Sequence, residues 1–268
     1  MRGDVRFGVL GPLTAEDAGG PLELRGPRHR AVLARLLVAR GRVVPVGTLV
    51  GDLWDDPPEG AVGAVRTFVA ALRRGIEPDR PPRAPARLLV TSAPGYALRA
   101  EPDAVDARRF EAAVREAAAL PPARALTVLD GALALWRGPA YAEFADRGWA
   151  RAEITRLDEL RLLAVERRAG AALETGAAAD AVPDLEAHAA GHPWREGEDA
   201  WRLLALALYR AGRQADALAV LRRARDALVT ELALDPSPGL RRLESDILAQ
   251  APHLAPGPGT VPAARPAS

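Results

Sequence analysis

The side chains that could bind a metal ion are few in this 268-residue sequence. His188 and His192 stand four residues apart with Glu186 nearby, a spacing that a continuous helix would bring to one face. The helix is expected to end near Gly191, however, and the sequence offers no evident third ligand. Since protein metal sites use three or more side-chain ligands, we predict no metal site and no bound cofactor.

Residues for nucleophilic catalysis are also absent from the sequence pattern. The four serines, none of which lies in the Gly-x-Ser-x-Gly turn of serine hydrolases, are Ser92, Ser237, Ser245 and Ser268. Asp55 and Asp56 are adjacent in a turn, where neighbouring side chains point apart, so a helix cap or a solvated turn is favoured over catalysis. The chain has no Cys and its 36 basic residues are all Arg, which excludes thiol nucleophiles, thiolate zinc sites and lysine chemistry. We therefore predict that the protein is not an enzyme.

The charged residues are divided unevenly along the chain. Residues 1–100 carry 15 Arg and 10 acidic residues, a net charge of +5, whereas residues 101–268 carry 21 Arg and 25 acidic residues, a net charge of −4. The total of +1 thus combines a basic first part with an acidic second part. Because a basic segment is attracted to phosphate, a nucleic-acid partner is expected for the first part.

One predicted helix in the basic part has arginines opposite its apolar stripe. The stripe contains Ala61 or Val62, Val65, Phe68, Val69 and Leu72. The opposite face carries Gly63, Arg66, Thr67, Ala70 and Arg74, with Arg73 at its border. Arg can bind guanine or phosphate through paired hydrogen bonds, and Thr can contact a phosphate or a thymine methyl group. Arg87 and Thr91 are expected near the tip of a following hairpin that contacts DNA as a wing. DNA binding is the preferred interpretation, and a merely solvated arginine face is the alternative.

The elements that must position these residues occupy about the first hundred positions. Short strands are predicted at 5–10 and within 13–24, and a helix from Pro27 to Ala39 is predicted to follow them. Two more helices are predicted, one beginning at Pro45 and one running over about 59–74. The last two strands, at 88–90 and 96–98, flank a turn at Pro94 and Gly95. Short strands, three helices and a final hairpin are typical of a winged helix-turn-helix.

The rest of the chain is predicted to be almost entirely helical. Apolar stripes broken by Gly or Pro indicate helices near 106–119, 122–136, 150–175, 178–190, 198–211 and 214–232. The offsets of a tetratricopeptide repeat are matched by Trp201, Leu204, Ala205, Leu208, Ala217, Leu221 and Ala224, with Gly212 in the turn. The predicted fold class is therefore mainly α: an N-terminal α+β winged helix-turn-helix and an all-α, tetratricopeptide-like set of helical hairpins. The predicted domains are 1–100 and 103–250, followed by a disordered Pro/Ala/Gly-rich tail at 252–268.

Hydropathy gives an expectation about location. The sequence does not begin with an apolar run of signal-peptide length. Charged residues interrupt every apolar segment before it reaches about 18 residues. We therefore expect a cytoplasmic protein with no membrane partner.

Several ordered motifs resemble one family of bacterial regulators. In the first part they are residues 5–13 (VRFGVLGPL), 26–34 (GPRHRAVLA), 53–58 (LWDDPP), 69–74 (VAALRR) and 94–98 (PGYAL). In the second part they are residues 103–110 (DAVDARRF), 134–139 (ALWRGP) and 208–218 (LYRAGRQADAL). Over about residues 4–250 the sequence resembles the Streptomyces antibiotic regulatory protein (SARP) family of transcriptional activators, as a small, stand-alone type.

The resemblance implies an OmpR-like winged helix followed by a bacterial transcriptional activation domain. Such activators bind tandem direct repeats near the −35 region of a promoter and recruit RNA polymerase through its sigma factor and alpha subunit. Their usual targets are clusters for antibiotics or other secondary metabolites, so a nucleoid-associated activator with head-to-tail protomers on DNA is expected. The alternative is a helical-repeat scaffold for protein interactions with a degenerate winged-helix module.

The resemblance also implies roles for particular residues. The family's recognition helix commonly carries polar or basic residues where this chain has Gly63, Ala64, Ala70 and Ala71. Arg66, Thr67, Arg73 and Arg74 would therefore provide most of the contact with DNA. Arg28 and Arg30, at the start of the first helix, would contact the DNA backbone together with the hairpin. The loop containing Asp55, Asp56 and Glu59 matches the transactivation loop of OmpR-like proteins and would contact polymerase.

Overall fold

The computed structural model describes residues 5–81, 83–191 and 198–255. Contacts divide the chain into two compact units. The first unit comprises Met1–Ala112 and Ala134–Leu160, and the second comprises Ala113–Leu133 and Arg161–Ser268.

The first unit begins with a small antiparallel sheet. Its strands are β1 (Arg6–Gly8), β2 (Thr14–Asp17) and β3 (Gly20–Pro21), in the order β1-β2-β3. Phe7 pairs with Ala15 across the first two strands, and both side chains are buried. The predicted short strands before the first helix are thus present.

Three helices and a second sheet follow. Their bounds are α1 (Pro27–Val38), β4 (Val44–Pro45), α2 (Val46–Leu53), α3 (Ala61–Ile76), β5 (Leu89–Ser92) and β6 (Gly95–Leu98). The three helices pack on one another, and the second sheet has the order β4-β6-β5. Gly95 is required where β6 meets β4, because a Cβ atom there would lie 1.8 Å from the carbonyl oxygen of Val44. These elements form the predicted winged helix-turn-helix.

The first unit also includes residues beyond the predicted boundary near residue 100. A 3-10 turn at Pro102–Ala104 leads to α4 (Asp106–Ala117), α5 (Pro122–Leu133), a 3-10 turn at Ala142–Phe144 and α6 (Gly148–Thr175). Val105 forms a parallel bridge with Phe7 of β1. Of these residues, those up to 112 and from 134 to 160 belong to the first unit. The N-terminal sheet therefore packs with chain segments that lie about a hundred or more positions later.

The second unit is built of helical hairpins, as predicted. After the end of α6 come α7 (Ala178–Gly191), α8 (Glu198–Arg210), α9 (Gln214–Leu232) and α10 (Pro238–Leu248). The predicted repeat positions are all buried: Trp201, Leu204, Ala205, Leu208, Ala217, Leu221 and Ala224. Gly212 adopts a φ of 79° in the turn between α8 and α9, a conformation that glycine adopts without a steric cost.

The predicted start of the disordered tail, at residue 252, is too early in the chain. Pro252–Leu254 forms a 3-10 turn, and Leu254 is only 6% exposed because it packs against the helices of the second unit. The carbonyl oxygen of Leu254 accepts a hydrogen bond from Arg210 Nε at 3.0 Å. The rest of the predicted tail, residues 256–268, lies outside the described residues.

Candidate nucleic-acid interface

The arginine-bearing face of α3 is exposed. Gly60, with a φ of 84°, precedes the helix. The buried side of α3 packs on α1 and α2, and its residues include Ala61, Val65, Val69, Leu72 and Ile76. The exposed residues are Val62, Gly63, Arg66, Thr67, Ala70 and Arg74. Ala61, and not Val62, therefore occupies the first position of the apolar stripe, and Phe68 is half-buried.

The most available cations of this face are Arg66 and Arg74. Within the described part of the chain, neither guanidinium forms an ion pair or a hydrogen bond. The Oγ1 atom of Thr67 donates a hydrogen bond to the carbonyl oxygen of Gly63 at 3.1 Å. While that bond is present, the Thr67 hydroxyl cannot also donate to a phosphate, which leaves its methyl group and an acceptor lone pair for a ligand.

Arg73 joins α3 to the hairpin. Its Nε atom donates to the carbonyl oxygen of Leu89 at 2.7 Å, and its Nη2 atom donates to Thr91 Oγ1 at 2.8 Å. The guanidinium lies 5.8 Å from the ring centroid of Tyr96, and burial lowers the pKa of Arg73 from its ordinary value. Two predicted DNA contacts, Arg73 and Thr91, are thus bonded to each other and fix the hairpin against the helix.

Arg87 does not lie at the hairpin tip. Ser92 pairs with Gly95 at the turn, whereas Leu89 pairs with Leu98 at the other end of the hairpin. Arg87 precedes that far end by two residues, and its backbone N–H donates to Glu77 Oε1 at 2.7 Å. The expectation that it lies near the tip is wrong because Arg87 precedes β5, whereas the tip is the turn at Ala93 and Pro94 that follows β5. Its side chain is exposed.

Arg28 and Arg30, at the start of α1, have different surroundings. Arg28 is exposed and lies 5.2 Å from the ring centroid of Trp54, which stacks on Phe68 of α3 at 6.2 Å. Arg30 forms an ion pair with Glu143, with Nε to Oε2 at 2.6 Å, and its Nη2 atom donates to the carbonyl oxygen of Leu13 at 2.6 Å. Arg30 therefore binds elements of its own unit, while Arg28 is available to a ligand.

A shallow groove of about 750 Å³ lies between α3 and the residues that precede α1. Its lining includes Arg25 and His29 beside Thr67 and Arg74. Burial, with a smaller contribution from Arg25, lowers the pKa of His29 from its ordinary value. Arg25 and His29 were not predicted as site residues from the sequence, although both lie within or next to the motif that begins at Gly26.

The predicted polymerase contacts lie together in the loop between α2 and α3. Asp55, Asp56 and Glu59 are all exposed, and no hydrogen bond or ion pair joins them to another described residue. Their carboxylates are thus accessible to a partner.

Other kinds of site find no support in the described residues. Within 5–81, 83–191 and 198–255 the structure contains no group of three potential metal ligands. His192 and the side chain of His188, the pair that was considered and rejected as metal ligands, lie outside what the structure describes. In the same ranges no helix is both long enough and apolar enough to cross a membrane.

The fold and its exposed basic helix define a winged helix-turn-helix protein with appended helical hairpins. Residues 20–98 match the family model described as transcriptional regulatory protein, C terminal, and residues 105–248 match that of the bacterial transcriptional activator domain. The chain belongs to the SARP family of transcriptional regulators.

Individual relatives agree with this assignment. The chain is 40% identical over 259 residues to regulatory protein AfsR of Streptomyces coelicolor, covering 94% of this chain and 25% of AfsR. It is 35% identical over 256 residues to transcriptional regulator RedD of the same species, covering 94% of this chain and 73% of RedD. A solved structure of Mycobacterium tuberculosis EmbR in complex with a low-affinity phosphopeptide is similar with a TM-score of 0.81 and 36% identity, covering 94% of this chain and 66% of that one. The chain thus covers a quarter of AfsR, 73% of RedD and 66% of the EmbR chain.

Proposed function

We propose that this protein is a sequence-specific DNA-binding activator that binds direct repeats near a promoter −35 region and recruits RNA polymerase. The observation that carries the proposal is the exposed face of α3, where Arg66 and Arg74 have no partner among the described residues. In a winged helix-turn-helix this helix is the element that enters the major groove. The proposed targets are genes of a secondary-metabolite cluster, and the proposed site of action is the cytoplasmic nucleoid.

The contacts with DNA divide into two kinds. Arg66, in the middle of the exposed face, is suited to a paired hydrogen bond with guanine, and Arg74 and Arg28 are suited to phosphates on either side. Arg73 and Thr91 would act mainly by holding the hairpin against α3, since their polar atoms bond to each other. Arg30 would support the position of α1 through Glu143.

The contacts with the transcription machinery are proposed for the acidic loop. Asp55, Asp56 and Glu59 are exposed next to the N-terminus of α3, so a polymerase subunit could bind the loop while α3 lies on DNA. We propose the sigma factor and the alpha subunit as the partners. Two protomers on direct repeats would be related by translation along the DNA, which gives head-to-tail pairing in place of two-fold symmetry.

A titration with duplexes from promoters of nearby biosynthetic genes tests the DNA-binding step. Arg66→Ala should weaken specific binding by about 1–3 kcal/mol, because a buried bidentate contact is lost. Arg74→Ala should weaken binding to all sequences and reduce the slope of log K against log salt by about 1, because one phosphate contact is lost.

The control is Arg241→Ala, which removes an exposed arginine of α10 that has no ion pair within the described part of the chain. It should bind DNA like the unmodified protein. If the unmodified protein binds no promoter duplex at low salt, the proposal is wrong and the scaffold alternative is favoured. In-vitro transcription with and without Asp55→Ala, Asp56→Ala and Glu59→Ala then tests recruitment.

A further inference from the structure

The first turn of the exposed face of α3 is apolar, since its exposed residues are Val62 and Gly63. Val62 is 44% exposed and is the most exposed large apolar side chain in the described part of the first unit. Gly63 next to it has no side chain, and a Cβ added there would meet nothing within 4 Å. Burial of an exposed aliphatic side chain against a ligand is favourable, by about 25 cal/mol for each Å² of apolar surface removed from water.

Val62 stands in line with the main cation of the face. Val62, Arg66 and Ala70 follow one another at intervals of four residues, so they form one row along the exposed side. Each interval advances about 6 Å along the helix axis, which is close to two base-pair steps of about 3.4 Å. A helix lying along the major groove would therefore present these three residues to base pairs about two steps apart.

The chemistry of the row restricts what it can recognise. Arg66 is the one group on these turns that can donate hydrogen bonds to guanine, and the face has no Asn or Gln for adenine and no Asp or Glu for cytosine. The Thr67 hydroxyl donates to Gly63 and keeps only an acceptor lone pair for a ligand. The other groups on these turns are methyl groups, and the apolar group that the major groove offers them is the 5-methyl group of thymine.

We propose that Val62 is a specificity-determining residue that contacts the 5-methyl group of a thymine close to the guanine bound by Arg66. The inference rests on the proposed DNA-binding function and adds the chemistry of the operator. Each half-site should contain a guanine with a thymine within about two base pairs of it, on the side that faces the N-terminus of α3.

The test uses duplexes selected from a random 20-base-pair library by the full-length protein. Each thymine of a selected duplex is replaced singly by deoxyuridine, which lacks only the 5-methyl group. At one thymine or two the unmodified protein should lose about fourfold in affinity, the equivalent of about 0.8 kcal/mol for one buried methyl group.

Val62→Ala should bind the selected duplex more weakly and show less than a twofold penalty for deoxyuridine at those same positions. Val229→Ala is the matched control, since Val229 is a comparably exposed valine (51%) in α9 of the second unit. It should keep the full deoxyuridine penalty. Circular dichroism and thermal melting of all three proteins establish that the substitutions leave the fold intact.

The outcomes separate this inference from the function on which it rests. If the unmodified protein binds selected duplexes but no deoxyuridine substitution weakens binding, or if Val62→Ala keeps the full penalty, Val62 does not recognise thymine. If the library yields no enriched duplex at low salt, the DNA-binding function itself is wrong.

Discussion

The arginines of the first unit fall into two groups according to what their guanidinium groups contact. Arg30 and Arg73 form the internal hydrogen bonds described above, and Arg35 Nε lies 2.7 Å from Asp52 Oδ2. Arg66 and Arg74 are exposed and have no such bond to a described residue. A paired guanidinium has fewer free N–H donors and is held in place by its internal contacts, so we expect the second group to account for most of the DNA affinity.

The neighbours Arg73 and Arg74 allow a direct comparison of the two groups. Arg73→Ala should lower the free energy of unfolding by about 1–3 kcal/mol, because the carbonyl of Leu89 and the hydroxyl of Thr91 lose their donor. Arg74→Ala should change stability by less than about 0.5 kcal/mol, as is usual for an exposed residue, but should weaken DNA binding. Urea denaturation and DNA titration of both variants measure the two effects. Equal losses of stability in the two variants would contradict the division of the arginines into two groups.

At the scale of elements, one carboxylate connects the N-terminal sheet to α4. Asp106 is only 4% exposed and accepts hydrogen bonds from the backbone N–H groups of Val9 at 2.8 Å and Leu10 at 3.1 Å. It also accepts from the N–H of Ala107 at 2.7 Å and lies 3.3 Å from Arg137 Nη2. A buried charge that accepts this many hydrogen bonds satisfies donors that would otherwise be unpaired.

Removal of that carboxylate should loosen the sheet. Asp106→Ala is expected to lower the free energy of unfolding by about 3 kcal/mol or more, because several buried N–H groups lose their acceptor together. Asp106→Asn keeps the shape and one acceptor oxygen, so its loss should be smaller. Asp103→Ala, an exposed residue of the preceding 3-10 turn, is the control and should be nearly neutral. A neutral Asp106→Ala would show that the carboxylate does not hold the sheet.

At the scale of the whole molecule, the family matches and the compact units divide the chain differently. The activator-domain match begins at residue 105, yet residues up to 112 and from 134 to 160 pack in the same unit as the winged helix. Ion pairs reinforce that packing: Glu111 binds Arg40 and Arg156, and Glu143 binds Arg30. The predicted division into domains at 100–103 remains a prediction from the sequence.

These ion pairs predict how stability depends on pH. The hydrogen bond from Arg30 lowers the pKa of Glu143 below its ordinary value of 4.5. Burial raises the pKa of Glu111, but the hydrogen bonds from Arg40 and Arg156 outweigh it, so this pKa is also lowered. Because both carboxyls bind protons more readily in the unfolded chain, their contribution to stability is complete above about pH 4.5 and is lost as the pH falls through the folded-state values.

Urea denaturation between pH 6 and pH 3 measures this dependence. In the unmodified protein the free energy of unfolding should decrease as the pH is lowered. The double variant Glu111→Gln, Glu143→Gln should be less stable at pH 6, and its free energy of unfolding should decrease less as the pH is lowered. Glu59→Gln, in the exposed loop before α3, should follow the unmodified protein. A double variant with the unmodified slope would mean that other carboxylates govern the acid response.

Much of the fold could be predicted because it depends on local patterns. The positions of the three helices, the final hairpin and the tetratricopeptide-like hairpins follow from apolar residues that recur at helical or alternating intervals. The face of α3 that carries Arg66 and Arg74 follows from the same periodicity, since residues opposite a buried stripe are exposed. The strands and turn of the hairpin were also predicted, but the position of Arg87 was wrong, because this residue precedes β5 and so lies at the end of the hairpin away from the turn.

The sequence by itself determined which elements form, which face of α3 is exposed and which catalytic chemistries the absent Cys and Lys exclude. Only the tertiary structure decided the partner of each arginine. Arg30 binds Glu143, 113 positions later in the chain, and Arg40 binds Glu111, 71 positions later. A long, flexible arginine takes whichever carboxylate folding brings within reach, and periodicity over a few residues carries no information about contacts at that separation.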